Sequence, residues 1–184
     1  MRAEFMPKEQ NHTYEKLYYT LWELAGRYSG FCQFRAVGNS HDDRLIPMLE
    51  VGNGAQMIFC VAGIDGTQNL LPRLLIQMAE EYCRAYECGW QLEEFYEVKK
   101  LLDKIRICFL PLLNPDGYEI NQSGFSMIRN PIYRQMLRMQ SIPAKDFGYN
   151  ARGVDICHNF PTVHYIRSRM GEEPASENET KALI

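Results

Sequence analysis

The sequence lacks an apolar run of the roughly twenty residues that are needed to cross a bilayer. It also lacks a signal-peptide pattern, because residues 1–10 are polar and contain two acidic side chains. The net charge of −3 provides no basic excess for nucleic acid. These absences predict a cytoplasmic protein that binds neither membranes nor nucleic acids.

Cysteine pairs with metal-binding spacing are missing as well. The six cysteines form no Cys-x-x-Cys pair and no cysteine–histidine spacing of the zinc-knuckle kind. Cys60 and Cys108 lie in apolar segments, and Cys83 and Cys88 lie on a predicted helix. We interpret the cysteines as free thiols of a reducing compartment.

The length and composition are those of one globular domain. The chain has 184 residues, of which 46% are hydrophobic and 23% are charged. We expect residues 1–12 to form an N-terminal tail and residues 13–184 to form the domain.

Hydrophobic periodicity predicts helices that alternate with strands, which is typical of a layered α/β domain. The apolar runs 57–62 and 105–113 favour neighbouring strands that are covered on both faces. The helix predicted over 69–87 has an apolar stripe of Leu71, Leu74, Leu75, Met78, Ala79 and Tyr82. The other predicted elements are helices over 13–28, 91–104 and 131–139 and strands over 34–37 and 45–51.

Three segments that combine glycine with polar residues lie at or beyond the ends of these runs. Ala-Gly-Ile-Asp-Gly-Thr-Gln occupies 62–68, and Asn-Pro-Asp-Gly-Tyr occupies 114–118. Asn-Ala-Arg-Gly-Val-Asp-Ile-Cys-His-Asn-Phe-Pro occupies 150–161. By itself, the string at 114–117 predicts a type I turn. The spacing of Ser176 and Glu179 predicts a capping box that begins a helix.

Together these segments resemble the active-site framework of the zinc carboxypeptidase family. The resemblance implies a three-layer α/β sandwich with a mixed, largely parallel sheet, in an incomplete form of the phosphorylase/hydrolase-like fold. Weaker similarities at 38–44 and 173–183 extend the match. The family's second zinc histidine and its glutamate base would lie beyond Ile184, so we expect a truncated domain.

The resemblance also identifies positions at which the chemistry has changed. In the family, the loop after the first central strand carries His-x-x-Glu, and both residues bind zinc. The matching residues here are Asp65 and Gln68. Because a neutral amide is a weak zinc ligand, we expect a degenerate, empty site and no cofactor, with zinc as the metal if one is bound.

The predicted substrate-binding residues come from the same comparison. The family's Asn-Arg pair, which grips the substrate's terminal carboxylate, corresponds to Cys157 and His158. The arginine that stabilises the oxyanion corresponds to Arg129, with Arg134 as the alternative. Arg129 is the one weak candidate for a catalytic role.

The favoured function is a non-catalytic pseudoenzyme or fragment whose cleft binds a peptide or a peptidoglycan fragment. The alternatives are an active metallocarboxypeptidase acting on peptides or peptidoglycan stem peptides, a relative of the aspartoacylase and succinylglutamate desuccinylase group, and an unrelated α/β binding domain. Truncation would leave strand 57–62 as an apolar edge, which predicts self-association.

Overall fold

A computed structural model describes residues 13–92, 96–163, 165–167 and 173–184. The predicted tail over 1–12 lies outside the described residues. The strands are β1 (Cys32–Asn39), β2 (Leu45–Val51), β3 (Gln56–Val61), β4 (Gln91–Leu92), β5 (Tyr96–Glu97) and β6 (Ile105–Leu110). The α-helices are α1 (Tyr14–Arg27), α2 (Leu71–Cys88), α3 (Val98–Leu102), α4 (Pro115–Ser123), α5 (Pro131–Arg138) and α6 (Asn178–Lys181).

The main sheet has the strand order β1-β2-β6-β3. β1 and β2 pair antiparallel, as do β2 and β6, whereas β3 and β6 run parallel. Ile58 on β3 lies opposite Ile107 on β6, so the two apolar runs are neighbours as predicted. The mixed sheet with helices confirms the predicted α/β class.

β6 lies between two of the hydrophobic clusters of the core. Ile107 and Phe109 pack with α1, α2 and α3 in one hydrophobic cluster. Cys108 and Leu110 pack on the opposite face in a second cluster that also contains Ile156. Successive side chains of a strand point to opposite faces, so a continuously apolar strand is buried between two layers.

Helix α1 follows its sequence signals closely. The Thr13 side chain caps it by accepting a hydrogen bond from the Lys16 backbone N–H at 3.4 Å. Leu17, Leu21 and Leu24 are buried at three- and four-residue intervals. The predictions for β2 and for a helix near 131–139 are also confirmed.

The predicted inward face of α2 is wrong in part. Leu71, Leu74 and Met78 are exposed, and the helix buries a different set of side chains: Pro72, Ile76, Ala79, Cys83 and Ala85. Ala79 is buried as predicted, and Leu75 and Tyr82 are partly buried against the core. The prediction placed the largest apolar residues inward and therefore assigned the buried face of the helix partly to the wrong side.

The helix predicted over 91–104 is also wrong in its first half. Gly89, with a φ of 64°, ends α2, and a short β4–β5 hairpin follows before α3. The apolar residues of 91–104 predict an inward face of Phe95, Val98, Leu101 and Leu102. Val98 and Leu102 are buried, whereas Leu101 is exposed and Phe95 lies outside the described residues.

β3 is an edge strand within the described residues, because β6 is the strand that pairs with it. Met57, Ile58 and Phe59 are exposed, so the prediction that this strand is covered on both faces is wrong. No helix of the described residues is both long and apolar enough to span a bilayer.

Candidate functional site

The loop after β3 and the start of α4 are joined by hydrogen bonds. Asn114 caps α4 by accepting from the Gly117 N–H at 2.9 Å, so the string at 114–117 begins a helix and is not an isolated turn. The Asn114 amide also donates to the carbonyls of Ile64 at 3.2 Å and Gly148 at 3.3 Å. One side chain thus links three segments of the site.

Glycine is required where these segments touch. A Cβ on Gly117 would lie 2.3 Å from the Tyr149 carbonyl oxygen, and one on Gly66 would lie 2.6 Å from the Gly117 backbone. The Gly66 N–H donates to the Gly148 carbonyl at 2.9 Å. The backbones of these segments lie so close together that neither glycine position has room for a side chain.

A buried ion network fixes α4 against the turn between β1 and β2. The Arg44 guanidinium contacts Asp42 at 2.7 Å and Asp116 at 2.9 Å. Asp116 also accepts from the Ser40 hydroxyl at 2.8 Å and from the Asp42 N–H at 3.0 Å. Burial raises the pKa of Asp116, and the charge of Arg44 opposes that rise.

Asp65 and Gln68 use their oxygens inside their own loop. Asp65 Oδ1 accepts from the Thr67 N–H and from the Thr67 hydroxyl, both at 2.7 Å. Gln68 Oε1 accepts from the Ile64 N–H at 3.3 Å. Within the described part of the chain, Asp65 belongs to no group of three histidine, cysteine or carboxylate ligands around a common point.

The segment around His158 packs beside this loop, since Ile64 and Ile156 share one hydrophobic cluster. Asp155 accepts from the Cys157 N–H at 2.9 Å, and its other oxygen lies 2.7 Å from His158 Nδ1. The His158 side chain is 83% exposed. The structure therefore places the segment that carries Cys157 and His158 beside the Asp65 loop, and their binding role stays a prediction.

The thiol of Cys157 is not set up as a nucleophile. Burial raises its pKa, and the negative charges of Asp155 and Asp65 raise it further. The thiol therefore stays protonated near neutral pH. The effect of Asp65 also shows that the two candidate residues are close enough to interact.

Arg129 contacts a different part of the molecule. Its guanidinium donates to the Asp43 carbonyl at 3.0 Å, and its backbone N–H donates to Asp42 at 2.8 Å. It lines a cavity together with Tyr14 and Arg134. No hydrogen bond or ion pair joins Arg129 to the Asp65 loop among the residues described, so its oxyanion role stays a prediction.

Comparison with known proteins assigns this framework to a family. A family model described as zinc carboxypeptidase matches residues 17–184. The chain belongs to the zinc carboxypeptidase family. This membership excludes an accidental match of motifs in an unrelated α/β domain.

Individual carboxypeptidases are also similar to this chain. The catalytic chain of carboxypeptidase N from Mus musculus is 26% identical over 178 residues, covering 88% of this chain and 34% of that protein. Carboxypeptidase D from Anas platyrhynchos is 34% identical over 164 residues, covering 85% of this chain and 10% of that protein. The chain thus spans about a third of the length of the carboxypeptidase N relatives.

Solved structures agree on the fold. The bovine thrombin-activatable fibrinolysis inhibitor superposes with a TM-score of 0.67 at 20% identity, covering 95% of this chain and 54% of that one. Carboxypeptidase A from Helicoverpa armigera gives a TM-score of 0.62 at 18% identity, covering 96% of this chain and 44% of that one.

The zinc carboxypeptidase family depends on zinc, but the residues at its usual position here do not fit the ion. Asp65 and Gln68 supply one carboxylate and one neutral amide, of which Asp65 Oδ1 and Gln68 Oε1 accept hydrogen bonds within the loop. A catalytic zinc site normally has three protein ligands of the imidazole, thiolate or carboxylate type. The donor set therefore disagrees with a zinc site in this loop.

Sequence reasoning missed a second group of polar residues. His41, Glu177 and Glu179 lie together, and Asn150 donates to both glutamates at 2.7 and 3.3 Å. The predicted capping box is wrong because α6 begins at Asn178 and the Glu179 carboxylate is buried. The two glutamates near Ser176 were a signal, but nothing in the sequence linked them to His41.

Proposed function

We propose that this chain is a non-catalytic member of the zinc carboxypeptidase family that binds the C-terminal end of a peptide. The observation that carries the proposal is the use of Asp65 and Gln68 oxygens by their own loop, at 2.7 and 3.3 Å. Two consequences follow, one for hydrolysis and one for binding.

Hydrolysis of a peptide bond in this family requires an activated water. A bound metal supplies it by lowering the pKa of the water, and a carboxylate base completes the reaction. Gln68 provides an amide that carries no charge and accepts no proton at neutral pH. Asp65 is then the one ionisable side chain of the loop 62–68, which falls short of the ligand set that a catalytic metal needs.

Peptide binding requires neither a metal-bound water nor a base from the Asp65 loop and the neighbouring segment around His158. Asp155 orients the His158 ring at 2.7 Å through Nδ1, and the ring is exposed. When protonated, such a ring presents Nε2–H as a donor to a carboxylate. A histidine replaces the bidentate fork of an arginine, so we propose a weak site that prefers a free C-terminal carboxylate.

The catalytic half of the proposal is tested with the D65H/Q68E double variant. Wild-type protein should not hydrolyse peptides with free C-termini, including a peptidoglycan stem peptide, with or without added zinc. The double variant should hold more zinc after dialysis than the wild type does. Comparing the two zinc contents cancels any metal bound elsewhere in the chain.

Wild-type turnover that a chelator abolishes, and that D65N removes, would show an active enzyme and overturn this half. A zinc content unchanged by D65H/Q68E would show that the loop geometry no longer resembles a metal site, and the family-derived explanation would fail.

The binding half is tested by fluorescence anisotropy with two labelled peptides that differ only at the C-terminus, one free and one amidated. The free peptide should bind more tightly, and H158A should weaken it about 10-fold. K145A, which changes an exposed side chain in another loop, is the matched control. Equal binding of the two peptides would rule out carboxylate recognition.

A further inference from the structure

Three metal-ligating side chains meet outside the Asp65 loop. His41 lies in the turn between β1 and β2, and Glu177 and Glu179 lie at the start of α6. One ligand atom of each, a ring nitrogen or a carboxylate oxygen, lies within 4.8 Å of the others. Both glutamates are fully buried, and the His41 side chain is 15% exposed. The cluster is thus enclosed, with its histidine at the surface.

The charges around this cluster do not balance. Four buried carboxylates lie in this region: Asp42, Asp116, Glu177 and Glu179. Arg44 pairs with the first two, and Arg152 pairs with Glu177 at 2.9 Å. These four carboxylates face two guanidinium groups and the His41 ring, which lies 3.0 Å from Glu177. Unbalanced buried charge is costly.

Glu179 is the carboxylate that lacks a cation. It forms no ion pair with any residue that the structure describes, and its hydrogen bonds are long. Asn150 Nδ2 donates to it at 3.3 Å and the His41 backbone N–H at 3.4 Å. Burial raises the pKa of Glu179 to about 7, with a contribution from the charge of Asp116. A fully buried carboxylate in this position takes up either a proton or a cation.

We propose that His41, Glu177 and Glu179 bind a zinc ion. One imidazole nitrogen and two carboxylate oxygens are typical zinc ligands, and a fourth position is open to water. The double positive charge of the ion offsets the excess negative charge of the region. The imidazole disfavours calcium and magnesium, which prefer oxygen ligands.

The surrounding residues hold the ligands in position. Asn150 Nδ2 contacts Oε2 of both glutamates, at 2.7 and 3.3 Å. Glu177 Oε1 accepts from Arg152 at 2.9 Å and from the Ser176 hydroxyl at 2.8 Å. Glu177 Oε2 also faces His41 Nε2 at 3.0 Å, and His41 Nε2 accepts from the Asn178 N–H at 3.4 Å. Hydrogen bonds that orient ligating carboxylates in this way support metal affinity.

Such an ion would have a structural role. It would connect the turn after β1 to α6, two parts of the chain that are 138 positions apart at His41 and Glu179. It would not touch Asp65 or Gln68, so the proposal does not depend on peptide binding or on the loss of catalysis.

The experiment uses the full chain, stripped with a chelator and titrated with Co²⁺ as a spectroscopic probe and then with Zn²⁺. We expect one equivalent of Co²⁺ with the visible absorption of a four- or five-coordinate site, displaced by Zn²⁺, and a rise in the melting temperature. E179Q and H41Q should each weaken binding at least ~100-fold. D65N/Q68A should bind as the wild type does.

E179Q keeps the shape of the side chain and removes its charge, so metal-free E179Q should melt no lower than the metal-free wild type. This separates a lost ligand from a misfolded protein. The proposal is overturned if the wild type binds no Co²⁺, if binding survives E179Q and H41Q, or if D65N/Q68A abolishes it. In the first case Glu179 holds a proton instead of a metal ion.

Discussion

At the scale of single residues, Asp116 connects two of the segments by which the family is recognised. It is fully buried and accepts from Ser40, Asp42 and Arg44. From the sequence alone, Asp116 is only the third residue of a turn-forming string. Its role as an acceptor for three donors depends on α4 meeting the turn between β1 and β2.

We predict that D116N destabilises the protein by about 3 kcal/mol, because removing one partner leaves Arg44 buried with incomplete compensation. S40A, which removes one neutral donor to the same carboxylate, should cost about 1 kcal/mol. Urea denaturation measures both. Equal losses would mean that the charge of Asp116 contributes nothing beyond its hydrogen bonds.

At the scale of elements, the site depends on loops that pack backbone against backbone. Gly66 and Gly117 lie where the loop after β3 meets α4, and neither has space for a Cβ. The hydrogen bonds of Asn114 and Gly66 to the Gly148 carbonyl bring a third segment to the same place. Loop geometry, more than any one side chain, preserves the family framework.

We predict that G66A destabilises the protein by about 2 kcal/mol, since its Cβ would overlap the Gly117 backbone. Gly26 on α1 has nothing within 4 Å of its Cβ position. The matched change G26A should therefore stabilise the protein by up to ~1 kcal/mol through helix propensity. Thermal melts of the two variants should shift in opposite directions, and a shift of G66A upward would contradict the packing argument.

At the scale of the whole molecule, the exposed edge of the sheet is the dominant feature. The side chains of Met57, Ile58 and Phe59 are about half exposed on both faces of β3. An apolar edge strand of this kind is a template for pairing with another strand. We propose that two copies of this chain associate through β3.

Sedimentation velocity across a dilution series tests this association. We expect the wild type to shift toward larger species as concentration rises, and M57K/F59K to remain monomeric, because charged side chains on an edge oppose pairing. M139K, at an exposed methionine next to α5, is the control and should behave as the wild type. A wild type that stays monomeric at all concentrations would refute the proposal.

Much of the framework followed from local patterns. Hydrophobic periodicity predicted α1, and the apolar run of β6, interrupted at Arg106, predicted a strand, because both depend on interactions between near neighbours. The local pattern did not predict the inward face of α2, because that face depends on how Ile76 and Ala79 pack against the other elements of the core. The glycine-rich strings identified the family without any knowledge of contacts.

The sequence by itself determined that the loop after β3 offers one carboxylate, Asp65, and one neutral amide, Gln68, since residue chemistry is read directly. Only the tertiary structure decided that their oxygens are used within the loop. It also brought His41 against Glu177 and Glu179, from opposite ends of the chain. Contacts of that kind arise from the packing of the whole domain, and no local pattern encodes them.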